Sequence, residues 1–148
     1  MIMKKISSLL VLMLVLSISA VKADNDKIIS KDQLPAQAQK FLNENFANVK
    51  CSYVKLERDF LERSYEVMLA DGTKIEFTGK GLWEEVDSRY GEVPEGIIPE
   101  PIRHYINENY SGSKVLRIER NRYGFEVKLS NKLELTFSKE FQLIDIDD

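Results

Sequence analysis

The chain has 148 residues, 43% of them hydrophobic, with 24 acidic against 21 basic side chains. From Asp24 onward the balance is 24 acids to 18 bases, a net charge near −6. That lacks the basic stripe nucleic acid requires and disfavours docking on an anionic membrane. Cys51 is the only cysteine, so no internal disulfide can form and one buried core must carry the fold.

The first 23 residues read as a secretory leader. Lys4 and Lys5 precede an apolar run from Ile6 to Ile18, and Val21-Lys22-Ala23 supplies the small residue of a cleavage site. The run is too short to span a bilayer, which takes about 20 apolar residues. A mature N-terminus near Asp24 is therefore expected, in the periplasm or secreted, with no stable membrane insertion after cleavage.

Leu34, Ala38, Phe41 and Leu42 then form the apolar stripe of a short amphipathic helix, with Pro35 in its first turn. The period next changes to two. Val54 and Leu56 alternate with polar neighbours, as do Tyr65, Val67 and Leu69. Asp71-Gly72 marks a hairpin, Ile75 and Phe77 follow, Gly79 and Gly81 make a turn, and Leu82 to Asp87 forms a fourth strand. Alternation of this kind buries one face of an antiparallel sheet and leaves the other wet. Gly91, Pro94 and Gly96 punctuate a linker over residues 88–96.

The pattern then returns. Phe41-Leu42-Asn43-Glu44-Asn45-Phe46 recurs as Tyr105-Ile106-Asn107-Glu108-Asn109-Tyr110, 64 positions on. Leu56-Glu57-Arg58 matches Ile118-Glu119-Arg120 at 62, and Tyr65-Glu66-Val67 matches Phe125-Glu126-Val127 at 60. The falling offset predicts two extra residues in the first helix–strand loop and two in the first hairpin. Ile98, Ile102, Tyr105 and Ile106 repeat the helix stripe, and strands ending in Phe137 and in Ile144 and Ile146 repeat the sheet. The fold class expected is α+β: two tandem helix-plus-four-strand antiparallel repeats, residues 24–87 and 97–148, with the helices on one face. Whether the two sets of strands share one sheet is left open.

This arrangement resembles the exported PepSY-like, β-lactamase-inhibitor-like proteins of bacteria. The resemblance rests on Leu34-Pro35 and Ile98-Pro99 opening the helices, the two Tyr/Phe-Glu-Val strands, the Asp71-Gly72 turn and Trp83-Glu84-Glu85-Val86-Asp87. It implies the fold and a non-catalytic, protein-binding tendency, and it transfers no binding residue.

Catalytic patterns are missing from the sequence. His104, the lone histidine, falls on the polar side of its helix, and Cys51 has no histidine near it in sequence. A triad needs a nucleophile, a base and an orienting group. No cofactor is expected, and the weak metal candidates are Asp145 and Asp147 of the acidic terminus. Strand parity places Tyr53, Met68, Trp83 and Leu143 on the wet face, with Arg58 and Arg117 framing a candidate protein-binding patch. The function expected is a binding protein that engages or inhibits another exported protein. The alternative is a cell-envelope small-molecule or calcium binder using the acidic surface.

Overall fold

A computed structural model describes residues 25–148; the expected leader lies outside them. Strand β1 (Lys27–Ile29) precedes helix α1 (Ala36–Asn45), then β2 (Cys51–Arg58), β3 (Arg63–Leu69), β4 (Lys74–Thr78) and β5 (Trp83–Asp87). Helix α2 (Glu100–Asn109) is followed by β6 (Val115–Asn121), β7 (Gly124–Leu129), β8 (Glu134–Ser138) and β9 (Leu143–Asp147). Short 3₁₀ turns at Lys31–Gln33 and Glu95–Ile97 lead into the helices.

All nine strands form one antiparallel sheet in sequence order. The question the sequence left open is answered at β5–β6, where Val86 pairs with Ile118 and Asp87 with Arg117. Parity runs through that junction, so both helices cover the same face. Phe41 of α1 meets Phe77 edge-on at 5.6 Å, and Tyr105 of α2 meets Phe137 in the same geometry at 5.6 Å. Ala38 and Leu42 of α1, and Ile102 and Ile106 of α2, are buried against the strands. β1 is a ninth strand that the alternation did not predict. Three residues are too few to show a period.

The linker is structural. Val93 is fully buried, and its N–H donates to the Val115 carbonyl, while the Ser88 N–H donates to Leu116. These bonds tie residues 88–93 along β6. At the other end of the sheet, Ile144 and Ile146 are exposed rather than core. β9 is a free edge strand, and Asp145 and Asp147 give it the charges that discourage edge pairing.

Strand register corrects the expected internal alignment. Leu56 pairs with Tyr65, and the residue paired with Phe125 is Arg120, not Ile118. The two helix–strand connections are equal in length, residues 46–50 and 110–114. All the extra length of the first half lies in the β2–β3 hairpin.

The β4–β5 turn packs against the first turn of α1. Gly81 sits at φ +88, and a Cβ there would stand 2.8 Å from Pro35 Cβ. Left-handed backbone costs an L-residue roughly 1–2 kcal/mol before any clash. Gly81→Ala should therefore lower stability by about 2 kcal/mol or more in a urea melt.

Candidate interaction face

The face opposite the helices has no layer on it. Cross-strand pairing lines up its side chains in rows. One row runs Lys55, Glu66, Glu76, Glu85, Glu119, Glu126, Thr136, Asp145 from β2 to β9. Five glutamates thus sit directly opposite one another on β3 to β7. Like charges in that position are destabilising. The neighbouring row runs Tyr53, Met68, Lys74, Asp87, Arg117, Lys128, Glu134, Asp147.

Cations partly offset the acid row. Lys55 reaches Glu57 at 3.0 Å and Glu66 at 3.6 Å, and Lys74 reaches Glu76 at 3.6 Å. Arg117 binds Glu85 at 2.9 Å, contacts Glu119 still more closely and lies 3.9 Å from Glu134. Burial, then the neighbouring Glu85, raises the Glu76 carboxyl above its ordinary value. Burial also raises Glu119, against the pull of Arg117. A carboxyl raised in the folded state holds its proton more tightly than in the unfolded chain. Its charge therefore weakens the fold above the raised pKa, and that loss is recovered as pH falls through it. Mild acidification from neutrality should lessen the contribution of these two groups to instability. Glu76→Gln should flatten that part of the urea-midpoint profile, and an unchanged slope would exclude Glu76 as its source.

Tyr53 and Met68 stand as expected on this face, paired across β2 and β3. The Tyr53 hydroxyl donates to Glu66 Oε1 at 2.9 Å, a bond that raises its pKa. Arg117 is here too, but inside the ion-pair network. Arg58 is exposed at the far end of β2, before the hairpin. Trp83 and Leu143 are not on this face. A bulge places Trp83, rather than Glu84, opposite Phe77, and another places Leu143 opposite Phe137. One extra residue reverses the parity, so both side chains turn inward and pack on the core. Asp145 and Asp147 are exposed on the edge strand. Among the described residues no three acidic, histidine or cysteine side chains are grouped to hold a metal ion. His104 pairs with Glu108 one helical turn on, at 3.1 Å, in solvent. Cys51 is half-buried, and burial raises its thiol pKa. The glutamate row was visible in the sequence only as scattered acids; pairing register is what assembles it.

Comparison with known proteins fits this geometry. A model of the family described as "putative beta-lactamase-inhibitor-like, PepSY-like" matches residues 63–145. The chain belongs to this PepSY-like family. A "putative calcium-regulated periplasmic protein" from Bacteroides thetaiotaomicron is 48% identical to it, with a TM-score of 0.82 over 84% of this chain and 98% of that one. Two proteins from Bacteroides vulgatus, each described as a "putative periplasmic protein", are 43% and 37% identical, with TM-scores of 0.83 and 0.80. They align over 85% and 84% of this chain and 99% and 100% of their own. No protein of curated function matches. This PepSY-like chain is periplasmic, as those relatives are described. No helix among its described residues is long and apolar enough to cross a membrane.

Proposed function

We propose that this protein is a non-catalytic periplasmic binding protein that engages another exported protein through the helix-free face of its sheet. The observation that carries the reading is the row Glu66, Glu76, Glu85, Glu119, Glu126. A stabilising sequence would alternate charge across those strands. Local rules are broken most often where function requires it. A fixed acidic band with Tyr53 and Met68 beside it suits a partner with a basic surface. Membership of an inhibitor-like family supports protein binding over catalysis. On this reading residues 24–87 and 97–148 carry two copies of one helix-plus-four-strand unit, the first with β1 added in front and the two joined through residues 88–96; residues 1–23 are removed on export, and duplication has doubled the width of the binding face.

The test is comparative capture from a periplasmic extract. A Tyr53→Ala/Met68→Ala/Glu126→Lys variant should keep the wild-type melt and recover at least tenfold less of a specifically retained protein, a loss typical of interface hot spots. Undiminished recovery with an intact melt would remove this face from the proposal.

A second reading is that the face responds to calcium. The relative described as calcium-regulated, together with the same acidic row, favours it. Calcium should then raise the melting temperature of the wild type, and Glu76→Gln/Glu85→Gln should abolish the rise. If the rise instead depends on Asp145 and Asp147, the sheet edge is the calcium site.

A further inference from the structure

We propose that the groove between α1 and strands β5 and β6, on the helix side of the sheet, is a binding site for a ligand with an apolar body and a carboxylate, anchored by Arg120. The groove has a volume of about 360 Å³, and its walls include Lys40, Phe41 and Glu44 from α1, Leu82 from the β4–β5 turn, Trp83 at the start of β5, and Arg120 from β6. It is distinct from the acidic face proposed above, which lies on the opposite side of the same strands.

Arg120 is a charged side chain on the core-facing parity. Strand pairing gives it the place opposite Phe125 that Leu56 holds opposite Tyr65. Arg117, three residues earlier on the other face, has three carboxylates around it. Arg120 forms no ion pair with any described residue; Glu84 is the acid whose field it feels, beyond ion-pair range, and burial lowers its pKa. A half-buried cation without a counter-ion is costly, and the cost is recovered when an anion pairs with it.

The side chain is also held ready. Its Nε–H donates to the Trp83 carbonyl at 2.6 Å, and its guanidinium carbon lies 4.1 Å from the centre of the Trp83 ring. That stacking fixes the guanidinium plane and leaves its terminal N–H groups for a bidentate acceptor. Lys40 adds a second cation on the rim, loosely paired with Glu44 at 3.8 Å with both exposed, and Arg122 lines the adjoining hollow beside Arg120. Trp83, Phe41 and exposed Leu82 supply apolar surface next to these charges. An apolar body lying on Trp83 would place its carboxylate at Arg120. Such a carboxylate belongs to a free organic acid or to the C-terminal residue of a peptide.

Trp83 is the only tryptophan, so its fluorescence reports directly on the groove. The full chain is titrated with 3-phenylpropionate, with acetyl-Ala-Ala-Phe carrying a free carboxylate, and with 3-phenylpropionamide. Both carboxylates should give a saturable change with Kd of about 1 mM or below, as expected for ligands of this size. The uncharged amide should bind at least tenfold more weakly. Tighter binding of the peptide assigns a C-terminal segment as the source, and tighter binding of the small acid assigns a free acid. Arg120→Gln should remove the response. Should that variant fold poorly, Leu82→Asp, at an exposed position, should weaken both carboxylates and spare the amide. An equal response to acid and amide, or no saturable response to either carboxylate, overturns the proposal.

Discussion

Truncating Phe77 or Phe137 to alanine should each cost about 3–5 kcal/mol in a urea or thermal melt, the range for fully buried aromatic rings. Both are essentially solvent-free, each on the second-last strand of its half, with an aromatic of the overlying helix against it edge-on. Removing either ring opens a cavity between helix and sheet that the strands cannot close, because Ile75 and Val86 in one half, and Leu135 in the other, are already packed to zero exposure. Lys55→Ala, on the opposite face, should change stability by about 1 kcal/mol or less, since its closest carboxylate partner, Glu57 at 3.0 Å, is partly exposed to solvent. Equal costs at Phe77 and Lys55 would mean the assignment of the two faces is wrong.

Trp83→Ala should also destabilise substantially, by about 3 kcal/mol. The indole lies tilted against Phe41, ring centres 6.3 Å apart, and carries the Arg120 guanidinium on its face. Its loss removes core packing and strands a half-buried cation at once. Leu143→Ala should cost less, because its strand is the sheet edge and covers little. A Trp83→Ala melt indistinguishable from wild type would place the ring outside the core and contradict the bulge at Glu84.

The difference between Phe77 and Trp83 shows what the sequence makes legible. Phe77 falls in a clean two-residue alternation with Ile75, and parity alone puts it inside. Trp83 obeys the same alternation with Val86 only if no residue intervenes, and a bulge is one intervening residue with no signature of its own here. Leu143 fails for the same reason. The helices were readable because Leu34, Ala38, Phe41 and Leu42 keep a four-residue stripe, whereas β1 is too short to have a period. Arg120 was hidden by the Leu-Glu-Arg and Ile-Glu-Arg likeness, which suggests an alignment two residues away from the one the hydrogen-bonded ladder adopts. The acidic row is a property of register between strands far apart in sequence, and no local pattern encodes it.

The most direct test of the two-faced account is carboxyl footprinting of the protein alone and bound to the protein recovered by capture. Carbodiimide labelling reads each acid separately. Glu66, Glu76, Glu85, Glu119 and Glu126 should lose labelling together in the complex, while Glu44 and Glu108 on the helices keep theirs. Protection of the helix acids with an unchanged glutamate row would contradict the two-faced account.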